Sequence, residues 1–341
     1  MRSITHLKGT KLKTMPMILT AVALIAFAGC EPIAGKKELL SEGKEFLTVD
    51  FQDGQSLRYK FVSSREITVD WDTTQKASRP GKSTSEKTSE SMEIIVTYTP
   101  VEIDPYGLST VKATCESVKV ARSRGPRRDA VQSLAGKTFT LDVAPSGKIE
   151  DYSQLDELIK ETGKKAFRAN TDMGRIKEPD MIGDFVASQW FLWDAVSSLT
   201  KPSEGVEAGQ SWKSKLSVPA PMVTRKARDV TYMLDEIRQS EKGRLAVISS
   251  SYQIADSAPH DWPIPYSGSF QVAGEFGFYR NYQVLDLQGQ GQELFNIDAG
   301  RTERYNQEYQ LQLKASLLIP LAGANPRITI KQNLTMELLE N

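Results

Sequence analysis

Two residue types that carry much of protein chemistry are almost missing from this chain of 341 residues: it has two cysteines and two histidines. Cys30 and Cys115 allow at most one disulfide, so a fold stapled by several is excluded. His6 lies near the N-terminus, and His260 stands alone in a loop rich in proline and aspartate, SAPHDWPIPYSG. Zinc needs three or four nitrogen or sulfur ligands, so no metal site is expected. A Ser–His–Asp arrangement would rest on His260, whose neighbour Asp261 diverges from it in extended chain. Closely spaced Asp and Asn of a calcium loop are lacking, as is a glycine-rich phosphate loop opening a helix. A carboxylate pair assembled by the fold would leave no local trace. The residues therefore point away from an enzyme, and no catalytic residue or cofactor is expected.

Charge of one sign is also lacking, since 43 Lys and Arg balance 43 Asp and Glu. The first 29 residues hold Arg2, Lys8, Lys11 and Lys13 and no acid, so without them the chain carries a net charge of −4. Nucleic acid is thereby an unlikely partner, because phosphate binding needs a concentrated basic face. A long apolar run is missing too. The uncharged stretch Ile18 to Gly29, ILTAVALIAFAG, falls short of the ~20 residues of a comfortable membrane span. Basic residues, a short apolar run and a small-residue exit read instead as a secretory signal. Its ending, Phe27-Ala28-Gly29-Cys30, resembles a bacterial lipobox, with Phe27 where Leu is usual. That resemblance implies cleavage before Cys30, acylation of its thiol, and a lipid bilayer as partner. Glu31, not Asp, follows the cysteine, so the outer membrane is the expected location, with residues 30–45 as a lipidated tether. Cys115 is then the last free thiol, expected to be a small buried strand residue.

The remainder is expected to be mostly β (α+β): a duplicated antiparallel curved sheet or open barrel with a mid-chain helical insertion. The boundaries are 1–29 signal peptide, 30–45 tether, 46–152 first β-rich half, 153–202 helices and 203–341 second half. FLTVDF and LRYKFV flank Asp53-Gly54 and predict a hairpin. The polar stretch Thr73 to Glu90 predicts a mobile loop, and Asp104-Pro105-Tyr106-Gly107 a turn before LSTVKATCESVKVA. The basic cluster Arg122 to Arg128 contains Gly-Pro and predicts a solvated loop.

Ser153 predicts the cap of a first helix carrying Leu155, Leu158, Ile159 and Phe167. A second starts near Pro179 and carries Phe185, Trp190, Phe191 and Trp193. Its apolar stripe is wide enough to be covered on more than one side. Such a helix packed into a curved sheet either lines an apolar ligand cavity, with Phe185, Trp190 and Trp193 as its wall, or fills that space itself. Both remain open.

The second half echoes the first. Phe139 to Asp142 and Gly147 to Gln154 align with Phe295 to Asp298 and Gly300 to Gln307, with Phe, Asp, Gly, Glu, Tyr and Gln recurring in order. The Asp104–Gly107 turn likewise matches Glu241-Lys242-Gly243. If the halves are duplicates, Gly147 and Gly300 occupy equivalent hairpin turns. These elements, with Gly205-Val206-Glu207-Ala208-Gly209-Gln210-Ser211-Trp212, resemble an uncharacterised family of bacterial secreted lipoproteins with duplicated β-rich halves. The architecture also resembles the half-barrel of lipoprotein carriers. Both resemblances imply a membrane-anchored envelope protein that binds an apolar or amphipathic ligand; the alternative is a structural or protein-interaction module.

Overall fold

In the computed structural model, the described residues are 43–71, 85–123, 129–168, 181–214, 228–255, 279–317 and 325–340. The chain divides into Met1–Ser41 and Glu42–Asn341. The first unit, with the signal, Cys30 and most of the tether, lies outside the described residues. So do His260, Arg124 to Arg128 and Pro179. No described helix is long and apolar enough to cross a membrane.

Alternating apolar residues build eleven strands: β1 (Leu57–Asp70), β2 (Ser85–Ile103), β3 (Ser109–Arg122), β4 (Thr138–Val143), β5 (Ile149–Asp151), β6 (Ser211–Ser214), β7 (Arg228–Ser240), β8 (Gly243–Ile254), β9 (Tyr279–Asn296), β10 (Arg301–Leu317) and β11 (Arg327–Leu338). Between β5 and β6 come α1 (Ser153–Arg168), α2 (Ile182–Phe191) and α3 (Asp194–Ser197). All strands join one open antiparallel sheet in the order β5-β4-β3-β2-β1-β11-β10-β9-β8-β7-β6. Two five-strand meanders, β1–β5 and β6–β10, thus run in the same direction across the sheet, and β11 fills the place between β1 and β10.

Gly147 and Gly300 join the fourth and fifth strands of their meanders, both with positive φ (78° and 59°). Tyr305 lies on β10, while Tyr152 lies one residue past β5. The two turns grip the same segment of chain. The Val49 N–H donates to the Pro145 carbonyl (2.8 Å) and the Asp50 N–H to the Gly300 carbonyl (2.9 Å). A Cβ on Gly147 would come within 3.0 Å of the Trp193 Cβ, and one on Gly300 within 2.5 Å of the Asp50 Cβ.

One face of the sheet is covered by the helices. The core there contains Phe61, Ile94, Tyr98, Phe139, Phe185 and Trp193. Phe185 packs edge-on against Phe139 (6.1 Å between centroids), and Trp193 against Phe51 (5.7 Å). Eight of the ten α2 residues, all but Gly183 and Trp190, are buried, so the buried positions go around the helix and include Asp184, Ser188 and Gln189. This is the coverage on several sides that the wide stripe predicts.

Three local expectations are corrected. Residues 46–51 form no hairpin with β1. Leu47, Val49 and Phe51 alternate inward, but the backbone bonds go to the two glycine turns and, through Glu45, to Val206. Glu45, assigned to the tether, is therefore part of the folded unit. Ser85 to Glu90, read as loop, is the start of β2, because its one inward acid finds cations on both neighbouring strands. At the start of α1, the Ser153 N–H donates to Asp151 (3.0 Å), so Asp151 supplies the acceptor expected of Ser153.

Candidate functional site

Strand register assembles a polar row that sequence spacing conceals. On the helix-covered face Arg122, Glu90, Arg65, Gln332, Tyr309 and Gly289 lie directly opposite one another across β3, β2, β1, β11, β10 and β9. Arg65 Nη2 reaches Glu90 at 2.7 Å and Nη1 reaches Asp184 of α2 at 3.4 Å. Arg122 pairs with Asp129 and, at 3.6 Å, with Glu90. Asp129 also caps the 3-10 turn Ala130–Leu134 and accepts from the Met181 N–H just before α2. The row continues from Tyr309 Oη to Gln332 Oε1 (2.6 Å), from Gln332 Nε2 to Ser63 Oγ (2.9 Å), and from Ser63 to Asp184 (3.0 Å). Burial pushes the Asp184 carboxyl above its usual range, against the opposing pull of Arg65. Burial works against the Arg65 guanidinium, but Asp184 and Glu90 outweigh it and raise its pKa. The cluster seats the N-terminal half of α2 on the sheet.

Two apolar regions flank this row. The larger holds the helices. The smaller, beyond Arg65 toward the ends of β1 and β10, contains Ile67, Leu287, Leu311, Leu313, Ile328 and Ile330 and, among the described residues, none of α1–α3. Those strand ends lead into the connections 72–84, 256–278 and 318–324, outside the described residues.

A second buried acid sits two rows deeper on the helix side. Glu293 Oε2 accepts from the Ala195 N–H of α3 (3.1 Å), and Oε1 lies 2.7 Å from the Thr302 hydroxyl. That hydroxyl also bonds the Leu192 carbonyl, which can only accept. Thr302 has a single proton to give, so the proton between it and Glu293 belongs to the acid. Burial points the same way: it raises the Glu293 pKa to about 8, against the bond from the Ala195 N–H, with the nearby Asp194 charge adding to the rise.

The polar row also floors a groove on the opposite face. A cavity of about 810 Å³ spans six strands, β3 to β9, and takes three consecutive residues along each, the last on β3 being Ser123 just past its end. The middle residues belong to the buried row, and Arg65, Glu90, Gln332 and Tyr309 are only 4, 6, 5 and 7% exposed. Side chains so enclosed cannot wall a space of this size, so the open side is the other face. Its walls are two parallel, registered rows of outward side chains. One runs from Ala121 through Ser64 to Gln290, the other from Ser123 through Glu66 to Gln288.

Of the residues singled out for an apolar cavity, Phe185 and Trp193 are 0 and 1% exposed within the core. Trp190 is half-buried, edge-on to Tyr152 at 5.5 Å. Cys115 is buried, and burial raises its thiol pKa to about 12, as expected of a strand residue. No group of three or more metal-ligating side chains is found among the described residues. The ionic row escaped sequence reading; the only trace of it is one acid and two arginines placed at inward positions of otherwise alternating strands.

No protein-family model matches the chain, and no curated protein does. Among solved structures it is similar to one described as lipid–protein interactions in lipovitellin, at 11% identity and a TM-score of 0.45. The match covers 85% of this chain and 26% of that one, so the chain spans about a quarter of the length of its structural neighbour.

Proposed function

We propose that the chain is a lipid-anchored, non-enzymatic protein of the bacterial cell envelope that holds an apolar or amphipathic ligand on the helix-covered face of its sheet. The observation that carries this reading is the smaller apolar region, whose Ile67, Leu287, Leu311 and Ile330 continue the core past the helices to the far end of the strands. The non-enzymatic reading is supported by the acids themselves: Asp129, Asp184 and Glu293 are all engaged in fastening helices to the sheet. Anchoring rests on the lipobox-like Phe27-Ala28-Gly29-Cys30 and is independent of the ligand.

Native mass spectrometry of protein purified from its own envelope, before and after lipid extraction, tests ligand binding. A bound apolar species is expected, and Leu311→Asp should abolish it. Fatty-acid labelling tests the anchor: the label should be lost in Cys30→Ser, because acyl chains hold a protein by about 0.8 kcal/mol per buried CH₂. Equal labelling of both would refute the anchor. The second reading, a structural or protein-interaction module, is favoured by the packed state of Phe185 and Trp193, which fill the space beneath α2 and α3. Protein that carries no lipid from its own envelope would select it.

A further inference from the structure

We infer that the groove on the face opposite the helices binds an extended, uncharged, hydroxyl-rich chain, a neutral oligosaccharide laid across six strands. This goes beyond the ligand reading above and concerns the other side of the sheet. The five gaps between six strands make a trough about 24 Å long, at about 4.8 Å per gap. Along it, donors and acceptors recur once per strand, an interval close to the length of one pyranose unit in an extended β-linked chain.

The wall chemistry changes along the length but not its character. Over β1 to β3 the walls are small hydroxyl residues, Ser64, Ser89, Ser91 and Ser123. Over β9 to β11 they are amides, among them Gln288, Gln290 and Asn333. Hydroxyls and amides both donate and accept, as sugar hydroxyls do. Glu308 accepts from Gln290 at 2.5 Å and presents its carboxylate to the groove, suited to a pair of neighbouring hydroxyls.

Charge and geometry exclude the other polymers. Glu66 is held by Lys87 at 2.6 Å, and with Glu308 it opposes Lys331, the single basic wall residue among the described residues, so a phosphodiester or other polyanion finds no cationic track there. The walls offer no apolar strip to an acyl chain. A peptide lying across the strands cannot add to the sheet, whose backbone groups already pair along the six strands.

The test titrates the detergent-purified full chain with cello-oligosaccharides by calorimetry, with a Gly-Ser peptide of equal length as control. The hexamer should bind at least tenfold more tightly than the dimer, because it engages more strands. Ser64→Leu, which puts an apolar branch at the centre of the groove, should weaken hexamer binding tenfold or more while leaving the thermal midpoint within a few degrees. If that variant fails to fold, Glu308→Ala should weaken binding at least threefold instead. Absence of hexamer binding, equal affinity for dimer and hexamer, tighter binding of the peptide, or indifference to the substitution in the folded variant would each overturn the proposal.

Discussion

The Asp184 cluster and the Glu293 site are two buried acids on the same face of the same sheet, stabilised in opposite ways. Asp184 lies among charges: Arg65 contacts it and Glu90, and Arg122 continues the pairing to Asp129. Among the described residues no cation pairs with Glu293, which keeps its proton, giving it to Thr302 while accepting from the α3 backbone. Both devices dock a helix onto the sheet, α2 by ion pairing and α3 by a neutral acid. A buried charge is tolerated only when paired, and an unpaired buried acid takes up a proton instead. The difference follows from what register places opposite each acid, since both are equally removed from water.

The strongest way to break this contrast is to remove the cation from the first site. Arg65→Met leaves Glu90 and Asp184 buried beside one another with less counter-charge. The loss should be about 3–5 kcal/mol at neutral pH, read by denaturant unfolding. It should shrink as pH falls through the carboxylate range, because the stranded acids then protonate as Glu293 does. A deficit independent of pH would show that Arg65 contributes packing alone.

The second site gives a pH dependence of opposite origin. The folded-state pKa of Glu293, about 8, lies above its ordinary value of 4.5. The group therefore contributes its full stability below about 4.5 and loses it progressively as pH rises through about 8, by a few kcal/mol in order of magnitude. Glu293→Gln reproduces the neutral acid, its amide donating to Thr302 and its carbonyl accepting from Ala195. Thermal unfolding at several pH values should find the variant close to wild type near pH 5 and more stable near pH 8.5. A parallel pH profile for the two proteins would mean that the acid is ionised throughout.

Smaller effects should separate the two glycine turns. Gly147→Ala and Gly300→Ala each force a side chain into the left-handed region, at about 1–2 kcal/mol. Gly300→Ala should cost more, since its Cβ would meet the Asp50 backbone nitrogen at 2.6 Å, whereas Gly147 faces side-chain carbons and nothing nearer than 3.0 Å. Urea midpoints of the two variants would rank them. Equal loss would indicate that the strap around Asp50 yields freely.

Much of this architecture is legible in local pattern. Alternation in LRYKFVSSREITVD and STVKATCESVKVA marks strands, the Asp104 to Gly107 and Glu241 to Gly243 segments mark turns, and the wide apolar stripe of Ile182 to Phe191 marks a helix covered on several sides. These signals are local because strand and helix periods are set by the backbone. Where they failed, a long-range partner decided the outcome. FLTVDF alternates like a strand yet pairs with two distant turns, and Ser85 to Glu90 is polar like a loop yet is a strand.

By itself, then, the amino-acid sequence determined the class: a β-rich chain with helices between two similar halves and turns placed by glycine. Tertiary structure alone decided that β11 lies between β1 and β10, that residues 65, 90, 122, 309 and 332 form one row, and that Glu293 holds a proton. The physical reason is that a side chain's face and neighbours are fixed by cross-strand register. Register depends on which strands meet, and no window of neighbouring residues contains that information.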